Sequence, residues 1–318
     1  MKALRIKYLL MFLLIVCLSG IYLTIGSQWR FDTSSSIILS IRLPRLILAL
    51  ITGSVLALSG AIMQGILQNP LADPYLLGIS GGAVLGTTVA GILFKGNIIA
   101  SVLFSFMGGL GAFFLTLFIA GLSGGNRRYA MIIAGILIGS FASAGVAVLY
   151  IVFRQGISSF FYTVMGSLNR VFIINYIPLY ITVGIIIMLL VIYLVSRAKR
   201  MEIISSGSDI AETSGIEVKR EILSSLVITA FIVSAVVAFT GIIGFVGIMV
   251  PHIVRRFVPM KFFHIYMFSL LGGALLLTGS DLIAKSLMTA EIPVGVITSL
   301  LGIPFFIYIL KRGQDVQD

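Results

Sequence analysis

Charged residues are so sparse along this chain that they divide it into long neutral intervals. Nine of these run 8–29, 46–72, 74–94, 96–126, 129–153, 171–196, 222–254, 262–280 and 292–310. A helix crosses the roughly 30 Å hydrocarbon core with about 20 apolar residues, so every interval is long enough to span a bilayer. The interval 222–254 holds 33 residues and as one helix would reach roughly 50 Å, which is too long for a single crossing. Gly241, Gly244 and Gly247 lie where it can turn back. Composition agrees: 59% of residues are hydrophobic and 10% charged, whereas a soluble domain has about 45–50% and 25%. A soluble enzyme is excluded, and the expected class is an all-α polytopic membrane protein.

The basic residues choose between one crossing and two in the long interval, because cytoplasmic loops hold the excess of Lys and Arg. With the N-terminus inside and two crossings, 15 basic residues fall inside and 7 outside; with one crossing the division is 11 and 11. About ten transmembrane helices follow, with both termini cytoplasmic, in a multi-pass protein of the cell (inner or plasma) membrane. The first hydrophobic stretch is long and lacks an A-x-A-like site, so it reads as an uncleaved helix. The net charge of +11 reports this topology and gives no reason to expect a nucleic-acid partner. The single cysteine, Cys17, excludes an internal disulfide or a cysteine metal cluster and reads as a small hydrophobe.

The chain resembles itself at an offset of 181. Val55–Gly60 aligns with Val236–Gly241 and Pro70 with Pro251, and after an insertion Gly81–Thr87 matches Gly272–Thr278. The whole chain, 1–318, is then one transmembrane domain holding two copies, roughly 42–170 and 220–318. They begin on opposite sides of the membrane, the inverted repeat typical of transporters.

Several motifs stand out at the membrane surfaces. Arg42-Leu-Pro-Arg45 is expected to open the second helix from outside, with its proline in the first turn. Its two guanidinium groups either snorkel to the interface or receive an acidic partner. Near the outer end of a later helix, Lys285 has the same options, and Asp281 is placed to neutralise it at i,i+4. On the cytoplasmic side, Gly207–Gly215 reads as a short helix capped by Ser208 and closed by Gly215, offered to a soluble partner. The sequence Leu122-Ser-Gly-Gly-Asn126 imitates an ATPase signature but occupies a short turn, and the chain contains no phosphate-loop pattern. His252 and His264 are too few and isolated for a metal centre. No metal site and no directly bound cofactor are expected.

Taken together, RLPR at 42–45, SGAIMQGILQNPLADPYLLGISGGA at 59–83, GSDIAETSG at 207–215, GFVGIMVPHIVRR at 244–256 and EIPVGVITSLLGIPFF at 291–306 resemble the FecCD permease family. These are membrane subunits of type II ABC importers for iron-siderophores, haem and vitamin B12, and the resemblance covers nearly the whole chain. It implies the ten-helix fold, a second permease copy in a homodimer or else a sister permease in its place, two ATPase subunits that hold ATP and Mg, and an extracytoplasmic substrate-binding protein. It further implies that Arg42, Arg45 and Lys285 dock the binding protein, and that Gly207, Ser208, Asp209, Ile210, Ala211, Glu212, Thr213, Ser214 and Gly215 form the coupling helix on the ATPase. By the same resemblance Asn69, Pro70 and Leu71 lie at the cytoplasmic gate, with the turn at Gly124–Arg128 near it. Helices at 129–153 and 292–310 line the path, where the polar groups are Ser140, Ser143, Thr298 and Ser299. Lysine at 285 keeps the charge of the arginine often found there but loses its bidentate geometry.

The alternative is an ion-coupled secondary transporter, which calls for ionisable groups at mid-membrane. The neutral intervals contain none. An intramembrane hydrolase needs a paired nucleophile and base, and neither histidine has such a partner in the sequence. The permease therefore performs no chemistry. Among metal chelates, ferric siderophore is favoured as cargo because it is the commonest in the family.

Overall fold

The computed structural model describes residues 2–26, 29, 31, 33–94, 97–124, 126–153, 164–169, 177–287 and 292–314. The chain is built from α1 (Lys2–Thr24), α2 (Ser35–Leu67), a 3-10 turn (Pro74–Leu77), α3 (Ile79–Leu93), α4 (Ile98–Gly121) and α5 (Arg127–Val152). There follow α6 (Ile177–Ser196), two short helices α7 (Ala198–Ser206) and α8 (Ser208–Thr213), then α9 (Val218–Thr240), α10 (Val246–Phe257), α11 (Phe262–Ser286) and α12 (Val294–Gln314). Among the described residues, seven of these are long and apolar enough to cross a membrane, α3 and the first part of α12 are shorter apolar helices, and α10 is a 12-residue amphipathic helix. Glu291 and Gly125, which belong to motifs noted above, lie outside the described residues.

The long interval does break in two, and it breaks at Gly241, whose φ of 71° suits glycine where helix α9 must stop. Helix α10 has 12 residues, about 18 Å, and does not cross the core alone. The non-helical segment 241–245 joins it to α9. A second unwound stretch, 68–78, turns back toward the bundle between α2 and α3. Exposed backbone is forbidden in hydrocarbon, so both segments must be covered and bonded by protein. They are: Tyr75 Oη accepts from Ile243 N at 3.3 Å, Ser167 N donates to Thr240 O at 2.7 Å, and Thr116 Oγ1 donates to Leu77 O at 2.9 Å.

Helices α2 and α11 form the centre, where small residues let the backbones meet. A Cβ at Gly53 would run into the Gly273 carbonyl, and one at Gly273 into that of Gly53. Lipid tails give no hydrophobic drive to helix pairing, so such close van der Waals contact is a main source of stability. Gly60 meets Gly247 in the same way and seats α10 against α2.

One expectation is corrected, and two others gain local detail. The α-helical part of α2 opens at Leu43 with Arg42 as N-cap and Pro44 in its first turn, as the RLPR motif suggests, and a π-turn and a short helical turn carry the helix back to Ser35. A π-turn at Ile38–Arg42 absorbs the missing proline N–H and the ring's clash with the preceding turn. The match at offset 181 does not hold helix for helix: Gly60 is mid-way along α2 while Gly241 caps α9, and Pro70 is in a loop while Pro251 is inside α10. Residues 81–87 and 272–278 sit in α3 and α11, with different neighbours on either side. The serine expected to cap 207–215 is already inside the helix, as described below.

Candidate functional site

At one end of the bundle, α1, α2 and α11 meet in a buried ionic cluster. Arg45 donates from Nε to Asp281 Oδ2 and from Nη2 to Oδ1, both at 2.8 Å. Tyr22 Oη donates to the same carboxylate at 2.5 Å. Arg42 Nη1 donates to Leu23 O at 2.7 Å, and Lys285 Nζ donates to Tyr22 O at 2.6 Å while lying 3.5 Å over the Tyr22 ring. Leu23 and Tyr22 are in the last turn of α1, whose final carbonyls have no partner within the helix and carry the negative end of its dipole. Two cations therefore cap α1, while the third forms a forked pair with Asp281. Arg42, Arg45, Asp281 and Lys285 are all buried. The exposed guanidinium pair expected from RLPR is thus replaced by an inward-turned one. Asp281 is taken by Arg45 on another helix as well as standing one turn from Lys285.

The opposite end carries an elbow. Glu221, buried at the start of α9, accepts from Arg197 at 3.1 Å and Arg200 at 3.3 Å, which fixes α7. Glu202 on α7 accepts from Phe262 N at 3.0 Å, the first residue of α11. Helix α8 leaves this support through Gly207, at φ 145° and ψ 141°, which is its N-cap in place of Ser208. Its C-terminus is a Schellman motif: Ile216 N donates to Ala211 O and Gly215 N to Glu212 O, both at 3.0 Å, with Gly215 at φ 76°. The motif packs Ala211 wholly inside the chain. Asp209, Glu212, Thr213 and Ser214 face out, and so does Ile210, 55% exposed. Ile210, one of the nine residues that the resemblance assigns to the coupling helix, is the exposed apolar side chain among these polar ones.

On the same end, Asn69 closes the turn after α2. Its side chain accepts from Leu71 N at 2.9 Å, and its carbonyl accepts from Ala72 N at 3.0 Å, with Pro70 and Leu71 exposed. Next to it is a residue that was read only as a break between intervals. Asp73 is buried and caps the 3-10 turn by accepting from Tyr75 N at 2.8 Å.

Of the four hydroxyl residues expected on the path, Ser140 and Ser143 are on an exposed face of α5 beside Ile136, Leu137 and Phe141. Ser299 is half-buried. Thr298 is wholly buried and donates to Gly295 O at 3.1 Å, so it faces the interior of its own chain and not an open channel. His264 Nδ1 is 3.0 Å from Tyr8 Oη, and His252 packs edge-on to Phe305. Among the described residues there is no group of three or more His, Cys, Asp or Glu that could hold a metal.

A helical bundle with two broken segments, an elbow at one face and an ionic cluster at the other defines a membrane permease. The model of the FecCD transport family matches residues 7–312, and the chain belongs to that family. It is 34% identical to the hemin transport system permease protein HmuU of Yersinia pestis, over 98% of this chain and 96% of that one. It is 33% identical to the cobalamin import system permease protein BtuC of Halobacterium salinarum, over 88% and 74%. Among solved structures it matches one described as an inward-facing conformation of a metal-chelate type ABC transporter. There the TM-score is 0.83 and the identity 27%, over 95% of this chain and 97% of that one. The protein is a permease of the metal-chelate, haem or B12 class of ABC transporter, with the type II importer fold.

Proposed function

We propose that this permease imports a ferric siderophore handed over by an extracytoplasmic binding protein, working as a homodimer on two ATPase subunits. ATP and Mg act on those subunits, and this chain supplies the difference in stability between two access states. The observation that carries the reading is the elbow. Helix α8 is only six residues long, yet it is closed by a Schellman motif, seated through Ala211 and braced by Glu221 and Glu202, while it presents Ile210 outward. A loop needs no such support; a surface that receives force does. The elbow, the turn at Asn69–Leu71 and both termini are then cytoplasmic, and 42–170 and 220–318 are the two units that tilt against each other.

Docking outside involves Arg42, Arg45 and Lys285. Because Arg45 is already held by Asp281, an acidic group of the binding protein has to exchange with that carboxylate. The cargo wall draws on Ser140, Ser143 and Ser299, among apolar neighbours, which suits a bulky chelate that must leave again. The test is to identify the partner binding protein and titrate it with ferric siderophores, haem and cobalamin, then follow uptake into liposomes containing the assembled transporter. Tight binding and uptake of a ferric siderophore is expected. Selective binding of haem or cobalamin would overturn the cargo, and ATP-independent uptake driven by an ion gradient would overturn the importer reading.

A further inference from the structure

On the lipid-facing side of the bundle, α1 leans on α10 and α11 without filling the space between them, leaving a groove of about 710 Å³. One face of α1 forms its outer wall, with Lys7, Met11, Leu14 and Leu18 at helical spacing. The floor is α11 at Gly272 and Gly279. A Cβ at Gly279 would meet only Leu18, at 3.9 Å, so the gap exists because this position has no side chain. From Lys7 to Leu18 is eleven residues, roughly 16 Å, about half the hydrocarbon core and so the depth of one leaflet. The lining is carbon throughout apart from Ser280 and Lys7, and Lys7 stands at the elbow-side mouth with its ammonium on Phe257 O at 2.6 Å. Lys2, Arg5, Arg256 and Lys261 are exposed on the same side.

A leaflet-deep apolar slot that ends at a cation, with more cations around it, has the chemistry of one lipid. We infer that the groove between α1, α10 and α11 binds an anionic phospholipid of the elbow-side leaflet, one acyl chain in the slot and the phosphate at Lys7. Ammonium groups have two further donors to offer beyond the bond to Phe257, and basic residues at the membrane surface attract acidic headgroups. A second copy of the chain is a poorer occupant, since its own Lys2, Arg5 and Lys7 edge would be brought against like charge.

The test uses the full-length permease, purified in detergent and offered equal amounts of phosphatidylglycerol and phosphatidylcholine with identical chains. Retained lipid is then read by native mass spectrometry. The wild type should retain phosphatidylglycerol about fivefold over phosphatidylcholine, the effect of one lysine near the surface. Lys7→Gln should remove that preference and Lys199→Gln, on the elbow, should keep it. Gly279→Leu should abolish retention of both lipids by filling the slot. If that variant unfolds, Leu14→Trp fills it from α1, whose exposure to lipid tolerates the larger ring. Equal retention of the two lipids, or an unchanged preference in Lys7→Gln, overturns the assignment. So does efficient disulfide formation between copies through Leu14→Cys in a Cys17→Ser background in bilayers, which would make the second copy the occupant.

Discussion

Arg45 and Asp281, 236 residues apart in sequence, are joined by two parallel hydrogen bonds of 2.8 Å that fasten the N-terminal part of α2 to the C-terminal end of α11. Removing one partner of a buried pair leaves an uncompensated charge, which typically costs about 3–5 kcal/mol. Asp281→Ala is therefore expected to lower the unfolding temperature of the detergent-solubilised permease sharply. Replacing both residues by apolar ones, Arg45→Met with Asp281→Leu, should recover most of the loss. A double variant no more stable than Asp281→Ala would show that the pair is not the source of the effect.

Ile210 and Ala211 are neighbours on α8 with opposite roles. Ile210→Glu should leave the permease folded and inserted but reduce substrate-stimulated ATP hydrolysis of the assembled transporter in liposomes, because a charge replaces the exposed apolar contact. Ala211→Asp should lower expression and melting temperature, since it forces a carboxylate into a fully buried position. Normal stimulated hydrolysis by a well-inserted Ile210→Glu protein counts against the elbow as the ATPase seat.

The glycine contact between α2 and α11 gives a test of packing. Gly53→Val places two methyl groups where the Gly273 backbone already is, and should separate the central helices. Overpacking typically costs about 1–3 kcal/mol, and more when backbone must move. Gly20→Val, on α1 with nothing near it, is the control and should melt close to the wild type.

Topology is checked by labelling. In a Cys17→Ser background, a cysteine at Ser208 should react with an impermeant reagent only from the cytoplasm and one at Thr33 only from outside. Both residues are exposed. Labelling of both from one side would overturn the ten-crossing arrangement.

The long helices were legible because a missing charge is a one-dimensional signal: neutral intervals locate the seven membrane-long helices, and of the three glycines in the longest interval the first, Gly241, ends α9. What escaped were facts about facing. The inward turn of Arg42 and Arg45 depends on a π-turn forced by Pro44 and on a carboxylate more than two hundred residues away. Local spacing placed Asp281 beside Lys285 and carried no trace of Arg45. In the same way, Ser208 and Gly207 compete for one cap, and the outcome rests on a glycine conformation that no other residue adopts easily. Thr298 was assigned to the path by its helix, but its side of that helix is set by packing against the rest of the chain.

Helix α11 runs 25 residues, about 37 Å, from Phe262, whose amide is held by Glu202 of the elbow, to the turn that carries Asp281 and Lys285. It lies against α2 over that whole length, with Phe262 beside Gly65, Gly273 on Gly53 and Asp281 on Arg45, so the two helices behave as one stiff pair. A small displacement of the elbow is therefore expected to carry through that pair to the Arg45 fork and the capped end of α1. The elbow and the ionic cluster are in this sense joined by one stiff element.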